Sequence, residues 1–182
     1  MTSENERMTD DRDVSKWQME RLWAPWRIEY IRQVRDLDCV LCTAPNRGDD
    51  EQALILHRGT WNYIIMNRYP YSPGHLMVAP YKHTADLDEL TQEESLEHVE
   101  LIKLATRILK DASGPGGFNI GLNLGRIAGA GLDQHLHTHI VPRWQGDANF
   151  MPVVGHTRVM SDSLPSMYAK LRKALDERLA QS

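Results

Sequence analysis

The sequence predicts an α+β fold: a mainly antiparallel sheet of about five strands, with one long helix and a C-terminal helix. Three observations carry this. Two strand-like runs, Ala53–His57 and Trp61–Asn67, flank a short turn. A long segment of helical periodicity follows a third such run. Two further strand-like runs then meet around a glycine-rich turn, so the order is hairpin, strand, helix, two strands, helix.

Along the chain, residues 1–16 are polar, charged and without periodicity, and are expected to form a disordered tail before a single domain over 17–182. Trp17 to Val34 holds Trp17, Leu22, Trp23, Trp26, Ile28, Tyr30 and Ile31, too aromatic for a tail, and is expected to dock on the body with Pro25 near the start of a short helix. After Cys39-Val40-Leu41-Cys42, the polar stretch through Pro45, Asn46, Gly48, Asp49 and Asp50 reads as a loop. Arg58, Gly59 and Thr60 suit the hairpin turn, and Leu76–Pro80 is the third strand. Thr91 to about Ala112 reads as a helix: Thr91 and Glu94 fit a capping box, and Leu96, Val99, Leu101, Ile102, Ala105 and Leu109 recur at helical spacing. The run Ser-Gly-Pro-Gly-Gly ends it. The strands FNIGLNLG and HLHTHIVPRW follow, around RIAGAG, and Ser163 to Leu179 is the C-terminal helix.

Composition narrows the function. A chain of 182 residues fits one domain and, at that size, buries roughly two-thirds of its unfolded surface without staples. The net charge of −4 argues against non-specific nucleic-acid binding but leaves room for small anionic ligands. No apolar run approaches the roughly 20 residues that span a bilayer, and the N-terminus lacks the apolar core of a signal peptide. A cytoplasmic protein with no membrane partner is therefore expected. The two cysteines, Cys39 and Cys42, are spaced as CxxC, which in a reducing compartment points to metal or redox chemistry.

The most informative residues are His135, His137 and His139, at i, i+2 and i+4. On a strand their side chains share one face, with Leu136, Thr138 and Ile140 on the other. Two chemistries compete. Alternate residues lie about 6.8 Å apart along a strand, while a metal needs its nitrogen ligands at about 2.0–2.1 Å, so neighbouring histidines share an ion more readily than all three. Alternatively, neutral imidazole, with a pKa near 6.5, attacks phosphorus directly, while a second histidine holds phosphate oxygens or protonates the leaving group.

HLHTHIV resembles the histidine triad motif. The resemblance extends over about Trp23 to Trp144 through LWAPWRIEYI, CVLC, MNRYPYSPGHLMVAPYKH, FNIGLNLG and HLHTHIVPRW. It is nearest in pattern to a bacterial phosphorylase-type branch that cleaves dinucleoside polyphosphates such as diadenosine tetraphosphate. The resemblance implies a nucleotide-binding, usually dimeric α+β enzyme that works through a covalent nucleotidyl-histidine. It makes His137 the nucleophile and has His139 bind or protonate phosphate oxygens. Asn67 matches the position that bonds the ribose, against a turn-capping role, and Asn123 the one that faces the α-phosphate, with Asn119 as the other polar residue of that strand. Trp144 is expected to close over the site or stack a base, or else to be a core aromatic.

In the RIAGAG turn, backbone amides can approach phosphate closely. Many hydrolases of the family carry a Gly-Gln pair followed by Ser or Thr here, whereas this chain reads Ala130, Gly131, Leu132. The missing glutamine puts water as acceptor in doubt and leaves room for inorganic phosphate. Zinc-bearing branches add a histidine after the third strand and the first triad histidine to the CxxC, which maps to Cys39, Cys42, His83 and His135 and implies a structural zinc ion; no organic cofactor is expected. A redox CxxC would open a helix in a thioredoxin-like unit, which the sequence does not contain. Cleavage of an adenosine monophosphate conjugate and a non-catalytic nucleotide-binding role are the alternatives. A uridylyltransferase-like role is disfavoured, because that branch replaces the third histidine with glutamine.

Overall fold

The computed structural model describes residues 39–147 and 162–181. The expected tail over 1–16 and the aromatic segment from Trp17 to Val34 lie outside them.

Strands β1 (Ile55–Arg58), β2 (Asn62–Met66), β3 (Leu76–Pro80), β4 (Gly117–Leu122) and β5 (Thr138–Arg143) form a single sheet in the order β1-β2-β3-β5-β4. Every neighbouring pair is antiparallel. The polar stretch expected as a loop carries two short helical pieces, a 3-10 turn at Ala44–Asn46 and helix α2 (Asp50–Ala53), after helix α1 (Val40–Thr43). The Asp49 carboxylate caps α2 by accepting from the Gln52 amide at 3.0 Å. Leu54, at φ +64°, stops it and turns the chain into β1.

Helix α3 (Gln92–Ser113) carries the full capping box: Thr91 accepts from the Glu94 amide, and Glu94 accepts from the Thr91 amide. Gly114, at φ +56°, ends it in the left-handed conformation that glycine adopts without strain. Its buried stripe is His98, Leu101, Ala105, Ile108 and Leu109. Leu96 and Val99, expected in that stripe, are instead exposed. Helix α4 (Leu164–Leu179) is capped by Ser163, and both long helices pack on one face of the sheet. No helix among the described residues is long and apolar enough to cross a membrane.

The sheet has two faces with different tasks. Val78, Thr138, Leu76 and Ile140 pair across β3 and β5 on the helix side and are buried. Met77 pairs with His139, and His139 with Gly121, on the opposite face. The two rims also differ. On β1, the carbonyls of Ile55 and Leu56 accept from the Tyr168 hydroxyl (2.9 Å) and the Arg172 guanidinium (3.0 Å) of α4. On β4, Asn119, Ile120 and Gly121 are exposed.

Fixing His98 inside this core makes the fold acid-sensitive. Burial pushes its pKa from 6.5 down to about 4. The unfolded chain therefore takes up the proton first, and the contribution of neutral His98, about 3 kcal/mol, is complete above pH 6.5 and is lost as pH falls toward 4. Burial lowers His57 in the same direction. The urea midpoint should drop markedly between pH 7.5 and pH 4.5; equal midpoints at the two pH values would refute this.

Candidate active site

The histidine run does not lie wholly on a strand. β5 begins at Thr138, so His135 and His137 precede the ladder and only His139 is within it. Released from the ladder, the rings serve two different places instead of sharing one face.

His135 is turned toward the cysteines. Its Nδ1 lies 3.3 Å from the Sγ of both Cys39 and Cys42 and 3.3 Å from the Nδ1 of His83. The Cys42 Sγ is 3.1 Å from the His83 Nδ1, and all four donor atoms lie within 4.8 Å of one another. A tetrahedron with metal–nitrogen bonds of about 2.0–2.1 Å and metal–sulfur bonds of about 2.3 Å has edges of roughly 3.3–3.8 Å. The donor set therefore fits a metal ion. The His135 Nε2–H donates to the Pro80 carbonyl at 2.9 Å, which leaves Nδ1 as the ligand nitrogen. Burial and the neighbouring Cys39 push the Cys42 thiol up to about 11, so a cation is what would turn it into a thiolate ligand.

His137 and His139 face each other edge to face, with ring centroids 4.8 Å apart. His137 is buried, and its Nδ1–H donates to the His135 carbonyl at 2.8 Å. That bond assigns the proton to Nδ1 and leaves the lone pair on Nε2. Burial lowers the pKa of His137 below its ordinary value, partly opposed by the bond to His135. The ring is thus a neutral imidazole at pH 7, aimed by the backbone of His135.

His139 receives its partner from a residue that the sequence reading passed over. The His75 Nε2 lies 3.0 Å from the His139 Nδ1. His75 Nδ1 accepts from the Tyr71 amide at 3.1 Å and faces the Asn67 side-chain amide at 3.3 Å. With Nδ1 accepting, Nε2 carries the proton and donates it to the His139 Nδ1, so neutral His139 holds its own proton on Nε2. One imidazole of the pair thus offers a lone pair and the other an N–H. The signal for His75 was available in Pro73-Gly74-His75: it stands two residues before Met77, which pairs with His139, and so shares its face.

The remaining candidates divide. Asn67 holds the loop, its Oδ1 accepting from the Tyr69 amide at 2.9 Å while its amide group faces His75. Asn123 lies one residue past the end of β4, whose last pair is Leu122 with Thr138, so continuing the register sets it across from His137. Gly131 lies in the half-buried turn before His135, which an Arg126–Asp133 ion pair of 3.7 Å spans. Asn119 is an exposed acceptor for Arg143. Trp144 is not brought to the triad within this protomer. It lies five residues beyond His139, about 17 Å along a strand, and its indole N–H donates to the Ser113 carbonyl at the end of α3 (3.3 Å). Gly121, opposite His139, keeps the sheet open above the pair, since a Cβ there would meet nothing within 4 Å.

The family model for the HIT domain matches residues 51–146, more than half of the chain. The chain belongs to the HIT domain family. Among HIT relatives, the protein named AP-4-A phosphorylase of Mycobacterium tuberculosis is 43% identical over 155 residues, covering 81% of this chain and 80% of the relative. An adenosine 5'-monophosphoramidase of Schizosaccharomyces pombe is 39% identical over 107 residues, covering 59% of this chain and 75% of the relative. A histidine triad nucleotide-binding protein from Sulfolobus tokodaii has a similar structure (TM-score 0.62, 27% identity, 76% of this chain and 93% of that one). A Zn-bound histidine triad family protein from Mycobacterium smegmatis shares the HIT fold (TM-score 0.64, 22% identity, 80% of this chain and 98% of that one).

Proposed function

We propose that the protein cleaves dinucleoside polyphosphates, diadenosine tetraphosphate in particular, and passes the nucleotidyl group to inorganic phosphate. The observation that carries this is the pair of complementary imidazoles, a buried His137 with its lone pair on Nε2 beside His139 with its proton on Nε2. The AP-4-A phosphorylase relative supplies the substrate class. In the first step the His137 Nε2 attacks the α-phosphorus. The P–N bond forms, the bond to the bridging oxygen breaks, and ATP departs as the polyphosphate anion, its departing oxygen accepting a hydrogen bond from the His139 Nε2–H. In the second step a phosphate oxygen attacks the nucleotidyl-histidine, the P–N bond breaks, and ADP leaves. Asn123, next to the triad, and the backbone around Gly131 are the groups assigned to the phosphate oxygens; Asn67 is assigned to the loop that shapes the ribose side.

The cluster of Cys39, Cys42, His83 and His135 is assigned to a structural zinc ion, which would tie the segment leading to His137 to the segment after β3. Two copies are proposed to pair through the exposed rim at β4, supported by exposed Ile120, Leu96 and Val99. The assembly is expected to work in the cytoplasm.

Cleavage in labelled phosphate tests the reaction. Label should enter ADP, with ATP as the other product. Turnover that yields AMP and ATP and leaves the label in phosphate would instead establish hydrolysis. Gly131→Gln puts back the side chain that many family hydrolases carry, and should shift the products toward AMP and ATP.

A further inference from the structure

Helix α3 buries a titratable side chain for which the transfer chemistry has no use. His98 interrupts an otherwise apolar stripe. Its Nδ1 lies 2.9 Å from the Asn62 Oδ1 and its Nε2 2.7 Å from the Thr138 Oγ1. Thr138 stands between His137 and His139. We propose that His98 is a positioning residue for transfer at His137: it takes a hydrogen bond from Thr138 and holds the catalytic segment at the point where its backbone ladder ends. The proposal rests on His137 being the nucleophile.

The direction of each bond follows from its neighbours. The Asn62 side-chain amide donates to the Glu94 carbonyl and to the Glu97 carboxylate, each at 3.0 Å, so Oδ1 must be the end that faces His98. Oδ1 can only accept, which puts the His98 proton on Nδ1. The His98 Nε2 then accepts, and the Thr138 hydroxyl donates. Glu97 is itself fixed, accepting from the backbone amides of Thr60 (2.6 Å), Trp61 (2.8 Å) and Asn62 (2.7 Å) in the β1–β2 turn. Among the described residues no buried side-chain nitrogen or oxygen lacks a partner. A continuous line of directed bonds thus runs from that turn through Glu97, Asn62 and His98 to Thr138.

The far end of the line is where the catalytic segment needs support. Thr138 is the first residue of β5 and the first paired with either neighbour, Val78 on one side and Leu122 on the other. His137 lies beyond both ladders, spanned between Thr138 and the Leu136 amide, which donates to the Thr84 carbonyl at 2.6 Å. An apolar residue at 98 would fill the same space but would let the helix and strand slide over each other. A fully satisfied hydrogen bond specifies one separation and one orientation. Attack on phosphorus is sensitive to that, since a misplacement of about 1 Å can cost about a hundredfold in rate.

Three variants test the role by steady-state kinetics and by single-turnover formation of nucleotidyl-histidine from diadenosine tetraphosphate. His98→Leu should lower kcat about tenfold or more while KM stays within about twofold, with the same loss in the single-turnover step. Thr138→Val, nearly the same shape, should show the same split, which keeps the test open if His98→Leu does not fold. His98→Gln presents an oxygen to Thr138 and an N–H to Asn62, and should recover most of kcat. A folded His98→Leu or Thr138→Val chain with wild-type kcat overturns the proposal, as does a His98→Gln chain as slow as His98→Leu. A wild-type chain that forms no nucleotidyl-histidine would refute the reading of His137 itself, an outcome separate from any difference among the variants.

Discussion

His137→Ala is expected to abolish turnover of diadenosine tetraphosphate, with a loss on the order of ten-thousand-fold or more. The size follows from what is removed. The ring is the only source of the lone pair in the proposed first step, and the His135 carbonyl already holds its proton on the opposite nitrogen. Neighbouring His139 does not substitute, because its hydrogen bond with His75 leaves it a proton rather than a lone pair at Nε2. The fold should survive. The contacts that assemble the sheet run through Thr138, Ile140 and their partners on the other face, and removing His137 leaves those ladders intact. Nucleotide binding should persist for the same reason. Wild-type protein denatured without acid during turnover should carry the nucleotide on His137, and the variant should carry none. Residual activity above about a tenth of wild type would sink the covalent mechanism.

The second large effect is expected from the metal cluster. Cys39→Ser should reduce bound zinc from about one ion per chain to a small fraction, because a hydroxyl replaces one of two thiolate donors. Thermal stability should fall by roughly ten degrees: a structural metal site contributes directly to folding, and each kcal/mol lost shifts the midpoint by roughly 2–4 °C in a domain of this size. Turnover should fall too, but less than in His137→Ala. The coupling runs through His135, whose ring joins the cluster while its carbonyl orients His137. Metal analysis and thermal melts of both proteins make the comparison. Wild-type protein purified without chelators and containing no zinc would refute the assignment.

The parts of the fold legible in the sequence are those governed by local rules. The capping box at Thr91 and Glu94, the glycine stop at Gly114 and the alternation through Thr138 and Ile140 each act within a few residues, and the structure contains them. Periodicity alone did not separate the buried stripe of α3 from its flank. Leu96 and Val99 have the spacing of the stripe but fall outside the contact with the sheet, while His98 lies inside it. No apolar pattern selects a histidine for the core; Asn62 and Thr138, distant in sequence, make it acceptable there. His75 was overlooked for a related reason, since its value depends on a strand pairing that joins residues 64 positions apart. The histidine run was legible as chemistry but not as geometry. Alternation implied one shared face, whereas the ladder begins three residues later than His135 and the rings are distributed between the metal cluster and the paired imidazoles.

On the proposed pairing through β4, the unequal rims of the sheet set how far copies of this protein can add to one another. At β1 the side chains of Tyr168 and Arg172 have already taken backbone carbonyls, so that rim offers little to an incoming strand. Among the described residues the β4 rim, with Asn119, Ile120 and Gly121 exposed, is the open one. In the vocabulary of polymer chemistry the proposed pairing makes the protomer monofunctional: two copies meeting through β4 would consume the open end of each, and the described residues would offer no second open rim from which to propagate. A sheet with both rims open would be a monomer unit for fibre growth. Here the C-terminal helix acts as the chain terminator.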